Sequence, residues 1–237
     1  SYTMPYFCNG KKAILPKTGV FKDALGSITK SSITSLAIEG SMNATDFETL
    51  RSLTNLQHLD LSALGTTTLP TSAFSGMTAL QSVSMPVKVT VTSTPFVNCP
   101  HLAAIIWNAS AAIPATFLPA NVNPNLLIYA QMSQWTDNIS SSVRNLIHDG
   151  VAKSITLSDG SDFYCPKEFI AEQISYTHEY KQVTVIGQSA GWETIALPFS
   201  VQTITHQDAT KGTLAPFAKN DAYAHPFWLY RMLSSGD

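Results

Sequence analysis

Charge is what this sequence has least of. Asp, Glu, Lys and Arg supply 13% of its 237 residues, about half the ~25% of an ordinary soluble domain. Its 14 basic and 16 acidic side chains form no block of one sign. A nucleic-acid footprint needs clustered Lys and Arg, so nucleic-acid partners are excluded. Long apolar runs are missing too, and none approaches the ~18 residues of a membrane span. Cysteine is sparse: Cys8, Cys99 and Cys165 lie far apart without a C-x-x-C, which excludes a zinc knuckle and a disulfide scaffold. Cys99 and Cys165 are expected as small buried hydrophobes. The histidines, His58, His101, His148, His178, His206 and His225, include no i, i+4 pair and no H-E-x-x-H, so no metal site and no cofactor is expected. Ser1 is not preceded by a basic and apolar leader, which implies a mature chain whose signal peptide has been removed.

What is present in quantity is Ser and Thr, about a fifth of the chain, with hydrophobic residues at 44%. The apolar residues are spread evenly, which argues for a globular chain long enough to bury real cores. They also recur. The pattern L-x-x-L-x-L reads Ile33, Leu36, Ile38; Leu56, Leu59, Leu61; Leu80, Val83, Met85; and Leu102, Ile105, Trp107, with a weaker fifth copy starting at Leu126. A repeat near two dozen residues lies in the leucine-rich-repeat range. The end of each copy predicts a short strand that alternates between an inner and an outer face. Stacked copies then form a parallel sheet over one shared core, because no single copy can bury its own apolar side.

The return segments repeat as well. Phe74 and Phe96 each lie six residues before the next copy and are expected to fill the interior from the convex side, each contributing ~1.5–3 kcal/mol. The first return, with Thr45 and Glu48 at capping-box spacing, predicts a true helix. The fourth, from Ile113 through Phe117, carries extra residues between Pro119 and Pro124 and is expected to be irregular. Residues 1–30 are expected to close the open end of the first coil through Val20, Phe21, Ala24 and Leu25.

These residues resemble the BspA-like leucine-rich repeat proteins of Bacteroides-type bacteria, whose repeat is similar to I-P-x-x-A-F-x-x-C-x-x-L-x-x-I-x-I-P. Leu69-Pro70, Ala73-Phe74, Leu80, Val83 and Met85-Pro86 carry the likeness, and Phe96, Cys99, Leu102 and Ile105 carry it again. The resemblance covers about residues 20–135. It implies a secreted or cell-surface protein that binds other molecules rather than transforming them.

After Gly150 the period stops. Ile155–Leu157, Ile174–Tyr180, Val183–Ile186, Ile195–Val201 and Phe227–Tyr230 are β-rich and predict a small antiparallel β-sandwich-like domain over 151–237. The stretch from Gly191 to Phe199 also resembles the terminal β-domain of those bacterial proteins. Because the chain ends soon after the apolar strand at 227–230, that domain is expected to be a fragment or to complete its sheet with a second copy, as a homodimer through an open edge.

Motifs that carry chemistry are few. Gly187-Gln-Ser189-Ala-Gly191 matches the nucleophile elbow G-x-S-x-G, with Asp208 or Asp221 and His225 as formal triad partners. The elbow requires a helix after its serine, whereas Trp192 to Pro198 reads as a strand. A Gly/Ser turn is the reading of these residues, and a serine hydrolase using Ser189 is the remaining alternative. The acidic pairs Asp46/Glu48 and Asp159/Asp162 fall at a helix N-terminus and in a Gly/Ser turn, where acids have structural reasons to be. Asn43, Asn108 and Asn138 begin glycosylation sequons that are coincidental in a chain this rich in Ser and Thr.

The sequence thus predicts a mixed, mainly β chain. A cap over 1–30 precedes a right-handed leucine-rich-repeat solenoid over 31–150 with short helical or irregular returns, and the antiparallel β domain follows. Its expected function is non-enzymatic binding or adhesion to a protein or glycan, with a purely structural or assembly role as the alternative. The candidate face is the concave side of the strands: Ser35, Ala37, His58, Asp60, Ser82, Ser84, Ala104 and Ile106.

Overall fold

The computed structural model of the chain describes residues 7–91, 94–114, 116–131 and 145–179, together with Leu197. Each repeated triplet becomes a strand of three to six residues: β3 (Ser35–Gly40), β4 (His58–Asp60), β5 (Ser82–Ser84) and β6 (Ala104–Ile106). The four pair in parallel, with Leu36 opposite Leu59, Leu59 opposite Val83, and Val83 opposite Ile105. All three apolar positions of every copy belong to one continuous core. The protein is therefore mainly β, a parallel-sheet solenoid of stacked coils. At its start β1 (Phe7–Cys8) and β2 (Lys12–Leu15) pair antiparallel, and β2 joins β3 in parallel. Beyond β6 the sheet continues through β7 (Leu127–Ala130) and β8 (Asn145–His148).

The returns are as regular as the strands. Phe47, Phe74, Phe96 and Phe117 are fully buried and form a spine, one ring per coil. Successive centroids lie 6.1, 5.1 and 5.4 Å apart. Trp107 meets Phe117 edge-on at 5.0 Å. Backbone bonds tie neighbouring returns, Phe74 N–H to the Pro95 carbonyl and Gly76 N–H to the Val97 carbonyl. Gly76 and Asn98 occupy the same place in their coils with φ of 77° and 57°, the left-handed region that Gly and Asn tolerate best.

The first return is the helix α2 (Ala44–Arg51), although a different pair caps it. Asn43 is the N-cap, and its side chain and that of Asp46 exchange bonds with each other's backbone N–H. Thr45 and Glu48 instead lie inside the helix. The reason is visible in Asp46, which is buried and also accepts Gly19 N–H at 2.6 Å and Phe21 N–H at 3.0 Å. One carboxylate thereby fixes both the start of α2 and the approach of the N-terminal segment. In that segment α1 (Phe21–Leu25) buries Phe21 and Leu25, with Val20 buried just ahead of it and Ala24 packed against the core.

The fifth copy is shifted. Ile105 pairs with Ile128, one residue earlier than a pattern begun at Leu126 requires. Ile128 and Ala130 therefore enter the core, and Leu127 and Tyr129 fall on the outer face.

The sheet runs on past Gly150. β9 (Val151–Ala152) and β11 (Ile170–Ala171) extend it, while β10 (Ile155–Ser158) and β12 (Ile174–Thr177) form a separate pair. The expected pairing over 151–179 was antiparallel. Both β9 with β11 and β10 with β12 are parallel. The long connection from Asp159 to Gln173 makes this feasible, since parallel neighbours need a crossover of a dozen or more residues. The chain divides into two compact units, Ser1–Gly191 and Trp192–Asp237. The expected strands at 183–186, 195–201 and 227–230, the sandwich they would build, and Ser189, His206 and His225 lie outside the described residues, Leu197 excepted.

Candidate functional site

Alternation along the strands gives the sheet a second face, opposite the core. Register lines its positions into two rows: Ser35, His58, Ser82, Ala104, Leu127, Asn145; and Ala37, Asp60, Ser84, Ile106, Tyr129, Ile147. The face changes character along the rows. Its first half is small, polar and open. Ser35 and Asp60 are exposed, and Ala37, His58, Ser82 and Ser84 are half-buried. His58 Nδ1 lies 2.9 Å from Ser82 Oγ. Asp60 Oδ1 accepts Ser62 N–H, which holds the turn after β4. Asn108 Nδ2 donates to Ser84 Oγ and to the Met85 carbonyl, a structural use for one of the three sequon asparagines.

The second half is apolar and covered. Ala104, Leu127, Tyr129 and Ile147 are buried although none belongs to the main core. Ala104 was expected to be an open binding position; it is 0% exposed. Ile106 is half-buried.

The cover is the chain itself. Four side chains hold strand β10 and the segment after it. Asn145 Oδ1 accepts Thr156 N–H at 2.7 Å. Asn125 accepts Ser158 N–H and donates to the carbonyls of Ser158 and Ser161. Asn123 donates to the Asp162 carbonyl, and the Tyr129 hydroxyl donates to the Lys167 carbonyl at 2.9 Å. His101 pairs with Asp162, the Tyr164 ring lies 4.8 Å from that of His58, and Phe169 meets Tyr129 edge-on. Residues Asp159–Phe169 thus form a strap over the outer face, reaching back as far as β4. Burial drives the Tyr129 hydroxyl well above its ordinary value, with the nearby Cys165 adding to the shift, so it is a donor throughout the physiological range.

Sequence reasoning missed the strap and its anchors. The available signal was the asparagines at 123, 125 and 145, polar residues in apolar surroundings, all three of them buried. A buried amide requires a hydrogen-bonding partner, and here the partner is the strap's backbone. Cys165, expected to be buried, is exposed on the strap. The reason is that Phe163, Tyr164 and Phe169 are tucked in more than Cys165. Cys99 is buried, and its thiol donates to the Phe74 carbonyl. Burial pushes that thiol up to about 11. Of the acidic pairs, Asp162 serves His101 and Asp159 accepts from Tyr176 and pairs with His178.

A shallow cleft of about 230 Å³ opens between the ends of β6–β8 and the strap, lined in part by Ile106, Trp107, Tyr129, Asp149, Lys167 and Glu168. It is smaller than the ~300–1,000 Å³ of sites that enclose a small molecule. Among the described residues no group of His, Cys, Asp and Glu side chains is arranged to hold a metal ion, and no helix is long and apolar enough to cross a membrane. No family model matches the chain, and no curated protein matches it.

Proposed function

We propose that this chain is a non-enzymatic binding module that recognises a protein or glycan through the open half of its outer face. One observation carries the reading: the register of β3–β5 gathers Ser35, Ala37, His58, Asp60, Ser82 and Ser84 on one surface facing away from the core. Such a surface offers hydrogen-bonding groups and little charge, which suits shape-matched contact. The leucine-rich-repeat character of the coils, the BspA-like resemblance and a secreted or cell-surface location belong to the same reading, supported by the two-dozen-residue spacing and the Phe spine. No catalytic residue, metal or cofactor is assigned.

The test is capture of partners from glycan arrays and surface-protein libraries by the full chain, repeated with Ser35→Trp and Asp60→Arg. Both positions are exposed, and neither change touches the core. Loss of capture with both variants, at unchanged melting temperature, supports the reading. Capture unaffected by both removes the open face as the site.

An assembly role is the second reading. It is favoured by β11, the end of the sheet among the described residues, where Ile170, paired with Val151, is 70% exposed. Sedimentation of the wild type and of Ile170→Glu tests it: an oligomer that dissociates on substitution favours assembly, and a monomer in both cases removes it.

A further inference from the structure

The strap contacts have an unusual composition. Among the described residues no backbone-to-backbone bond ties Gly160–Phe169 to the strands it crosses. Its backbone is recognised by side chains instead: Asn123 and Asn125 take the carbonyls of Asp162 and Ser161, and Tyr129 takes that of Lys167. Its own side chains add two aromatic contacts, Tyr164 on His58 at its middle and Phe169 on Tyr129 at its C-terminal end. Fixed side-chain donors on a preformed sheet, an irregular strand of peptide across them and aromatic anchors are the elements with which a folded domain binds a short extended peptide. The strap lacks the ladder bonds that would make it part of the sheet. Its N-terminal part is also suited to movement. Gly160 has φ of 74° with nothing near where a Cβ would stand, and the His101–Asp162 pair is solvent-exposed, so that contact is weak.

We infer that Gly160–Phe169 is a displaceable, peptide-like cover: an internal occupant of a binding surface whose external partner is an extended polypeptide bearing an aromatic side chain. The inference deepens the binding reading above by naming the partner class and its competitor. Displacement uncovers Tyr129 and frees the His58 ring that Tyr164 lies on, beside the exposed Asp60, joining an apolar floor to a polar rim. The effective concentration of a tethered segment is high, so an external peptide binds weakly until the strap is loosened.

The probe is a labelled synthetic peptide spanning Ser158–Phe169 with Cys165→Ser, added to the full chain and read by fluorescence anisotropy. Asp162→Ala with Tyr164→Ala in the protein loosens the strap without touching the face beneath. We expect the peptide to bind this variant at least tenfold more tightly than wild type. Adding Tyr129→Phe, which removes the donor to Lys167, should reverse most of the gain. Equal binding to wild type and loosened protein, or none to either while amide exchange over Asp162–Phe169 has risen, overturns the inference. Should exchange not rise, an equally long Gly/Ser stretch in place of 161–168 opens the face outright. Failure of that variant to bind the peptide, when folded by circular dichroism, also overturns it. These readouts do not involve Ser35 or Asp60, so failure here is distinguishable from failure of the open-face reading.

Discussion

At Gly40 the backbone of β3 has no room for a side chain. A Cβ there would stand 2.0 Å from the Leu15 carbonyl oxygen, and φ is 104°. Gly40→Ala combines a backbone clash with a conformation that alone costs about 1–3 kcal/mol. Chemical denaturation should show at least that loss, whereas Gly76→Ala, left-handed but uncrowded, should cost less. Asp46 is the other single residue on which much depends, since its carboxylate accepts from Gly19, Phe21 and Asn43. Asp46→Ala leaves the buried Phe21 N–H unpaired at about 1–3 kcal/mol, whereas the N–H groups of the exposed Gly19 and Asn43 can turn to water. Two of the three thiols, Cys99 and Cys165, divide sharply, with Cys8 half-buried between them in exposure. At pH 8 a disulfide reagent should label the exposed Cys165 promptly and reach Cys99, with its raised value of about 11, only on unfolding. The Asp159 carboxyl is held below its ordinary value by the Tyr176 hydroxyl first and His178 second. A depressed native value stabilises above the unfolded carboxylate's ~4 and is lost as pH falls through the lower native value. Amide exchange in β12, corrected for its intrinsic pH dependence, should therefore quicken below about pH 4 in the wild type and show no such step in Asp159→Asn.

Elements behave as rungs and spine. Phe74 stacks on Phe96 and meets Phe47 edge-on, so Phe74→Ala should cost roughly 3–5 kcal/mol. A double-mutant cycle with Phe96→Leu should reveal coupling of about 0.5–1.5 kcal/mol beyond burial. At this scale much was legible in sequence. Leu36, Leu59, Val83 and Ile105 repeat with a clear period, so strands, core and the outward positions of Ser35 to Ser84 follow from alternation alone. The capping box moved from Thr45 and Glu48 to the equally local Asn43 and Asp46, and what local spacing does not show is that Asp46 also takes the long-range bonds from Gly19 and Phe21. The strap escaped for the same reason. Asn125 and Ser158 are far apart in sequence, and a side chain that binds backbone leaves no periodic trace. Ala104 read as an open position because alternation tells which face a residue occupies and says nothing of what lies on that face.

For the whole molecule, each coil is stabilised by its neighbours, and the outer face is what the stack leaves over for recognition. Its polar half is open and its apolar half is covered from within. All of this rests on the ladder. Leu61 N–H donates to Ser84, Met85 to Ile106 and Trp107 to Tyr129, while Gln81 reaches back to Gln57, Ala103 to Gln81 and Leu127 to Ala103. Site-resolved hydrogen exchange of the intact chain reads those bonds directly. The account predicts slow amides clustered at Leu61, Gln81, Met85, Ala103, Trp107 and Leu127, separated by faster stretches. Unbroken helical protection across residues 62–79, or fast exchange at those six amides in a folded chain, would contradict it.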